Sequence, residues 1–360
     1  MRETVDVGCG HKKACRSCSA SSGGCLLSTQ YQDGTSVYAS ARRLNISLGS
    51  VSSVSVAGLV FRSTQGFRYD AGTQIDGLIG LGLSSPSTSF PTVLDDWIHS
   101  NGLHDAFAIQ LGPNGGAISL GGYNPSYFTG EILWTPLLHH NGWYQIPLPQ
   151  ISVGNTNIQY STQIQKAKAA IDSGTTYVLV PTDVFAQIAS SIASYASQSS
   201  SSCPHSICGP MASTIFYTGL CSSDIDLQTL PTIRFTFQRK MTISETKHHH
   251  VGYFTLSLTP RQYTYAKYTQ NGRDCTAYGI GIGPNDVFVL GDTFMTSYYS
   301  IFDRQNMRLG LAASTQASNV VPTNEPITLV RDPNFANAQG FHLLIRPITI
   351  ALSILIVLIV

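Results

Sequence analysis

Short apolar runs separated by turn residues recur along the whole chain and constrain its fold more than any other feature. Such runs occupy residues 54–61, 106–111, 117–120, 146–153, 233–237 and 288–290, and Asn-Gly or Gly-Pro-Asn-Asp turns stand in the gaps. Runs of this length bounded by Gly, Pro and Asn are typical of β-strands. The sequence therefore predicts an all-β protein with few short helices, one over residues 181–193 and one over residues 92–99. The serine-rich residues 197–202 predict a loop after the first of these helices.

The composition argues against some classes of partner. Of the 360 residues, 42% are apolar and 11% are charged, and the net charge is +1. Because the chain has no basic surplus, we expect no binding of nucleic acid.

Three histidines at 248–250 follow Lys247 in a polar stretch without a surrounding cluster of Cys or acidic residues. They favour a solvated loop over a metal site, and no metal or organic cofactor is expected.

Eight cysteines indicate disulfide bonds and an oxidising compartment. They are Cys9, Cys15, Cys18, Cys25, Cys203, Cys208, Cys221 and Cys275. An even number in a chain of low charge favours pairing. Cys203 and Cys208 predict a small disulfide loop. Half of a zinc site is the alternative interpretation of Cys15 and Cys18, although no second pair has the spacing of a zinc finger.

Other segments point to secretion and to a membrane. Asn45 begins the N-glycosylation sequon Asn-Ile-Ser and would face outward on a strand. Residues 341–360 are hydrophobic to the last residue and follow a polar linker, 315–340. They predict a membrane anchor or a GPI signal, with a clipped membrane helix or a buried core helix as alternatives. Since no apolar signal peptide opens the chain, we expect its natural start to lie before Met1.

One acidic residue stands between two apolar runs at a sharp turn. Residues 170–181 read Ala-Ile-Asp-Ser-Gly-Thr-Thr-Tyr-Val-Leu-Val-Pro. This pattern predicts the carboxylate of Asp172 at the end of a buried strand. Gly174 permits the turn, and Ser173 and Thr175 offer hydroxyl groups that can hold the carboxylate. Because such an acid usually works in a pair that shares one proton, a second carboxyl group is expected.

Several ordered motifs together resemble one protein family. They are Asp-Gly-Leu-Ile-Gly-Leu-Gly from Asp76, Gly-Gly-Tyr-Asn-Pro-Ser-Tyr-Phe-Thr-Gly from Gly121, Asp-Ser-Gly-Thr-Thr from Asp172, and Val-Leu-Gly-Asp-Thr-Phe from Val289. Over roughly residues 3–314 the chain is similar to the pepsin-like (family A1) aspartic peptidases. The resemblance implies a bilobal all-β fold, with an incomplete N-terminal lobe over 1–135 and a C-terminal lobe over 136–314. The linker 315–340 and the anchor 341–360 would follow.

The resemblance also implies roles for single residues. Tyr31 and Gly34, in Tyr-Gln-Asp-Gly-Thr-Ser, would belong to the flap that covers the substrate. Thr175 would hydrogen-bond one oxygen of Asp172, and Ser173 would reach a loop of the other lobe. Cys221 and Cys275 would form the disulfide of the C-terminal lobe. The Cys-rich stretch before the flap is similar to that of plant-type and some protist members.

The first catalytic motif of the family, Asp-Thr-Gly-Ser, has no clear counterpart. It is expected some tens of residues before the flap, which only thirty residues precede. Asp6 and Asp70 stand in similar sequences, but their surroundings match other parts of the family. Asp33 and Asp292 belong to the flap and to the closing motif. We therefore expect Asp172 to be the second catalytic aspartate and the first to be absent from this chain, with the N-terminal lobe truncated.

The resemblance implies an aspartic endopeptidase that cleaves peptide or protein substrates with water activated between two aspartates. No cofactor would be needed, and a monomer in the secretory pathway is expected. It would be anchored at the cell surface or in an endolysosomal or vacuolar membrane. With one aspartate, this chain alone would be inactive. The alternatives are a non-catalytic relative that binds peptides or surface proteins, and a surface β-protein of unrelated role.

Overall fold

The computed structural model describes most of the chain between residues 36 and 317. The described residues are 6–7, 26–30, 36–63, 77–83, 91–112, 115–138, 142–160, 167–199, 222–223, 225–240, 252–268, 274–317, 341–345 and 356–359. Several residues with predicted roles lie outside these ranges, so those predictions are untested: Tyr31, Asp33, Gly34, Asp70, Cys203, Cys208, Cys221, the three histidines at 248–250 and the four N-terminal cysteines.

The described residues form many strands and few helices, which confirms the predicted β-rich class. The strands in the first part of the chain are β1 (Asp6–Val7), β2 (Leu26–Gln30), β3 (Ser36–Leu48), β4 (Val51–Ser63), β5 (Gly77–Gly80), β6 (Ala106–Gly112), β7 (Gly115–Leu120), β8 (Phe128–Pro136), β9 (Gln145–Pro147), β10 (Gln150–Val153), β11 (Thr156–Asn157) and β12 (Lys168–Ile171). The later strands are β13 (Val178–Val180), β14 (Ile233–Gln238), β15 (Tyr253–Leu258), β16 (Thr264–Tyr268), β17 (Asp274–Tyr278), β18 (Ile280–Ile282), β19 (Phe288–Leu290), β20 (Tyr298–Asp303), β21 (Arg308–Ser314), β22 (Phe341–Ile345) and β23 (Ile356–Ile359). The described helices are α1 (Val93–Asn101), α2 (Thr182–Ser199), α3 (Pro260–Tyr263) and α4 (Asp292–Met295), with 3₁₀ turns at Pro125–Tyr127 and Leu227–Thr229.

Two compact units divide the chain. The first consists of Met1–Asp105, His140–Trp143 and Ile348–Val360, and the second of Ala106–His139 and Tyr144–Pro347. Residues 106–135, expected in the N-terminal lobe, thus contribute β6, β7 and all but the last residue of β8 to a sheet of the second unit. That sheet has six strands in the order β22-β7-β6-β20-β21-β8.

The first unit contains a long hairpin with a helix packed on it. β3 and β4 pair from Val37 to Leu48, and Gly49 (φ 62°) supplies the left-handed backbone of their two-residue turn. α1 begins at a capping box formed by Thr92 and Asp95. Trp97 on this helix is fully buried and donates a hydrogen bond of 2.9 Å from Nε1 to the carbonyl of Ile46. The indole ring therefore fixes the helix to the hairpin by packing and by one directed bond.

The second unit has a five-stranded sheet that carries the predicted site. Its order is β18-β13-β19-β12-β9, and β12 runs parallel to β19. Residues 169–171 and 288–290 are all buried, as expected for central strands covered on both faces. Phe107, Tyr144 and Phe302 pack elsewhere in this unit, with the rings of Phe107 and Phe302 stacked at 4.5 Å between centroids.

The helix predicted from Pro181 is longer than the sequence suggested. α2 runs from Thr182 to Ser199 and so includes serine-rich residues that alone favour a loop. Ala196 is buried, and the hydroxyl groups of Ser197 and Ser199 donate to the carbonyls of Ser194 and Tyr195. Burial of one face extends the helix against the weak propensity of its serines, and their hydroxyl groups find acceptors within the helix.

The hydrophobic C-terminal segment contributes two short described strands. β22 pairs antiparallel with β7, and β23 pairs parallel with β5. Within the ranges described above, none of the helices has both the length and the apolar character needed to cross a membrane. The membrane anchor expected from residues 341–360 therefore stays a prediction.

Candidate active site

Asp172 follows the buried strand β12, as the sequence predicts. Its side chain is fully buried, and its backbone N–H donates to the carbonyl of Leu290 at the end of β19 (3.2 Å). Ile171 and Leu290 are register partners in the parallel pair. The chain leaves both strands at the same edge of the sheet, so the residues that follow them come together.

Two donors from the following turn hold the carboxylate of Asp172. The backbone N–H of Gly174 donates to Oδ1 at 2.9 Å, and the hydroxyl of Thr175 donates to Oδ2 at 2.6 Å. Each oxygen therefore has one donor, which fixes the plane of the carboxylate. Ser173 is half-buried in the same turn, and its expected reach to a second loop stays a prediction.

Opposing effects set the proton affinity of Asp172. Burial raises the pKa of this carboxyl, because desolvation disfavours the charged form. The hydrogen bonds from Thr175 and Gly174 act in the other direction and lower the pKa. The net effect is a pKa above the ordinary range of an aspartate. Such a group can both take up and donate a proton.

A second carboxyl group, that of Asp292, lies in the same part of the fold. Its backbone N–H donates to the carbonyl of Thr175 at 2.7 Å, so it is bonded directly to the turn that holds Asp172. Burial, followed by the charge of Asp172, raises the pKa of Asp292 to about 7. In the sequence Asp292 belongs to the closing motif, which predicts no part for it in this site. The apolar run before it, 288–290, was the available signal, since it predicts a strand that ends at this residue.

Tyr177 and Tyr265 form an aromatic pair at the end of the same turn. Their hydroxyl oxygens are 2.9 Å apart and their rings stack at 6.0 Å between centroids. Tyr177 is 36% exposed. It is tied to the site because its carbonyl accepts a hydrogen bond from the N–H of Gly291. Neither tyrosine has a role predicted from the sequence.

Other predicted site residues are described in part. Cys275 is buried and disulfide-bonded. Ser222 and Thr276, which follow Cys221 and Cys275 in the sequence, exchange two backbone hydrogen bonds of 2.9 and 2.7 Å. The pairing of Cys275 with Cys221 itself stays a prediction. Asn45 is exposed on β3, an orientation compatible with glycosylation. In the described part of the chain, no group of three or more His, Cys, Asp or Glu residues could hold a metal ion.

Comparison with known proteins places the chain in a protein family. The family model described as "eukaryotic aspartyl protease" matches residues 8–314. Pepsin A of Sus scrofa is 31% identical over 277 residues, which are 74% of this chain and 61% of that protein. Cathepsin E-A of Xenopus laevis is 29% identical over 66% of this chain and 53% of its own length. The chain thus spans between about half and three fifths of these curated relatives. The extent of the family match shows that the chain belongs to the eukaryotic aspartyl protease family.

Proposed function

We propose that the protein is an aspartic endopeptidase in which Asp172 supplies one carboxyl group of the pair that activates water. The observation that supports this most strongly is the pair of hydrogen bonds to Asp172, one to each oxygen. They hold a buried acid in one orientation, as a proton-transfer group requires. Substrates would be peptides or proteins, as expected for a family of proteases.

The chemistry divides between two carboxyl groups. An ionised carboxylate takes a proton from water while a protonated carboxyl polarises the carbonyl of the scissile bond. Aspartic proteases are the standard example of two carboxyl groups that share one proton, since close like charges cannot both ionise at low cost. We propose that the partner of Asp172 comes from an Asp-Thr-Gly-type motif outside these 360 residues.

Peptide hydrolysis by the protein made from its complete transcript tests this function. We expect cleavage of a fluorogenic peptide between pH 3 and 6, and a loss of kcat of roughly 10³-fold or more in Asp172→Asn. Asp183→Asn is the matched control, because Asp183 is an exposed acid on α2. Activity of Asp172→Asn close to that of the control would contradict the proposal. Binding of the peptide by the wild-type protein without cleavage would favour the non-catalytic alternative.

We further propose that the protein matures in the secretory pathway. The disulfide bond of Cys275 is of the kind that persists in oxidising compartments. Exposure of Asn45 on β3 supports modification of the sequon. A mobility shift on glycosidase treatment that disappears in Asn45→Gln is the expected result. Resistance to carbonate extraction would separately support the anchor in residues 341–360.

A further inference from the structure

Three successive residues of β4 reverse the usual arrangement of apolar and polar side chains in a strand. Ser53 and Ser55 are buried, and their hydroxyl oxygens are hydrogen-bonded to each other at 2.8 Å. Val54, between them, is 59% exposed. A strand with one buried face normally turns its apolar side chains inward and its polar ones to solvent. β4 therefore exposes apolar surface that a covering group would remove from water.

Asn45, which begins the sequon, shares the face of the hairpin that presents Val54. In the antiparallel pairing of β3 with β4, Asn45 is the direct register partner of Val54, and Ser47 is that of Ser52. Directly opposed residues project from the same face of a sheet. All four residues are exposed, and we call this side of the hairpin its outer face. The asparagine and the serine of the sequon therefore both lie beside the exposed valine.

The side chains of Asn45 and Val54 are close enough for a sugar on one to contact the other. Opposed residues of an antiparallel pair have Cβ atoms about 4.5–5.5 Å apart. The first N-acetylglucosamine of an N-linked glycan is bonded directly to the side-chain nitrogen of its asparagine. Its ring therefore begins within one side-chain length of Val54. The next pair along the outer face, Arg43 with Val56, adds a half-buried valine diagonal to Asn45.

The chemistry of this sugar suits an aliphatic neighbour. A pyranose ring carries C–H groups on its faces, and the acetamido group of N-acetylglucosamine ends in a methyl group. Contact of these groups with the methyl groups of Val54 removes apolar surface from water on both sides, while the hydroxyl groups of the sugar stay solvated. A second protein chain fits this place less well, because it would have to desolvate the exposed side chains of Arg43, Asn45 and Ser47 together with the valine.

We propose that the N-linked glycan of Asn45 packs its first sugar against Val54 and so forms a structural cover on the outer face of the hairpin. The proposal rests on the proposed glycosylation of Asn45 and does not depend on peptidase activity. The glycan then stabilises the folded hairpin in addition to any effect on solubility. The first sugar is sufficient for this effect, since the later sugars lie farther from the strand.

A double-mutant cycle tests the contact in full-length protein made in a glycosylating eukaryotic host. The four proteins are the wild type, Asn45→Gln, Val54→Ser and the combination of both changes. With Val54 present, loss of the glycan should lower the equilibrium constant for folding, measured by urea denaturation, roughly fivefold, which is the effect of covering about 40 Å² of apolar surface. In the Val54→Ser background the loss should be less than about twofold. Equal losses in the two backgrounds would overturn the proposal.

Leu44→Ser is the matched control for this cycle. Leu44 precedes Asn45 in the sequence and is 36% exposed, but it pairs with Ser55 and so projects from the opposite face of the hairpin. Loss of the glycan should therefore have the same effect in Leu44→Ser as in the wild type. Coupling of the glycan to Leu44 as strong as that to Val54 would overturn the assigned contact. Val54→Thr, which keeps one methyl group and should retain part of the coupling, replaces Val54→Ser if that variant does not fold.

Two further measurements separate the contact from the modification itself. The mass of the intact wild-type protein reports whether Asn45 is glycosylated, and an unmodified Asn45 would overturn both the proposed modification and this contact. After an endoglycosidase trims the glycan to one N-acetylglucosamine, we expect the folding equilibrium to stay within about twofold of the untrimmed protein and nuclear Overhauser effects to join the acetyl methyl group to the methyl groups of Val54. A loss as large as that in Asn45→Gln, or the absence of these effects, would overturn the contact while the modification stands.

Discussion

The acids after β12 and β19 occupy similar positions, but their surroundings differ. Asp172 is fully buried and accepts a hydrogen bond on each carboxylate oxygen. Asp292 is partly buried, and its shielded Oδ1 has no partner in the described residues. Hydrogen-bond donors stabilise an ionised carboxylate and lower its pKa, whereas burial alone raises it. The comparison teaches that acids at similar strand ends differ through the donors of the local turn, which hold the carboxylate of Asp172 in one orientation.

The largest loss of stability is expected from Gly291→Ala. This substitution adds a methyl group where the turn after β19 contacts the turn after β12. The added methyl group would overlap the carbonyl oxygens of Thr175 and Tyr177, which are backbone atoms that cannot rotate away. We expect a loss of about 3 kcal/mol or more in the free energy of unfolding, measured by urea denaturation. Gly80→Ala is the control, since a Cβ there meets nothing within 4 Å. Similar losses in both variants would contradict the tight packing of the junction.

Asp303→Asn extends the comparison to a carboxylate with an ion pair. Asp303 is fully buried and accepts a hydrogen bond of 2.6 Å from Nε of Arg308, which also stacks on Trp134 at 4.0 Å. Loss of the negative charge leaves the guanidinium partly buried without its counter-ion, at a cost of about 3 kcal/mol at neutral pH. At neutral pH, Asp292→Asn should instead increase the free energy of unfolding, because it removes an unfavourable charge. Equal destabilisation of both variants would show that hydrogen-bond and ion-pair partners do not distinguish Asp303 from Asp292.

Thr175→Val tests the donors of Asp172. The variant keeps the shape but loses the hydroxyl that donates to Oδ2, so the pKa of Asp172 should rise further. Because a raised folded-state pKa lowers stability above the unfolded value, the loss should be about 1–2 kcal/mol at pH 7 and smaller at pH 3.5. Thr175→Ser keeps the hydroxyl group and should retain most of the wild-type stability. A loss that is the same at both pH values would show that the hydroxyl does not act through the charge of Asp172.

The smallest effect is expected from Thr293→Val, which removes a side-chain bond between the turns. The hydroxyl of Thr293 donates to the carbonyl of Thr176 at 2.9 Å, and its N–H donates to the same carbonyl. The backbone bond remains in the variant, so we expect a loss of about 0.5–1 kcal/mol in chemical denaturation. Thr293→Ser should behave as the wild type. A larger loss than in Thr175→Val would reverse the order of importance of these contacts.

The sequence predicted the parts of the site that are local. Asp172 and Thr175 are three residues apart, so a turn after an apolar run was enough to place the hydroxyl of Thr175 beside the acid. The second donor, the backbone N–H of Gly174, was not predicted, because Gly174 was expected only to permit the turn. The β-rich class also follows from a local pattern, the short apolar runs between turn residues. The predicted end of α2 is wrong, because serines disfavour helices in isolation and the burial of Ala196 is not visible in a propensity.

The sequence by itself determined that Asp172 sits at a strand end with donors around it, because those contacts lie within one turn of the backbone. Only the tertiary structure decided that Asp292 belongs beside it. That placement depends on the parallel pairing of β12 with β19, strands separated by much of the second unit. A residue pattern records which residues prefer a strand, but not which strands become neighbours. The coupling between the two acids depends on that choice of neighbours.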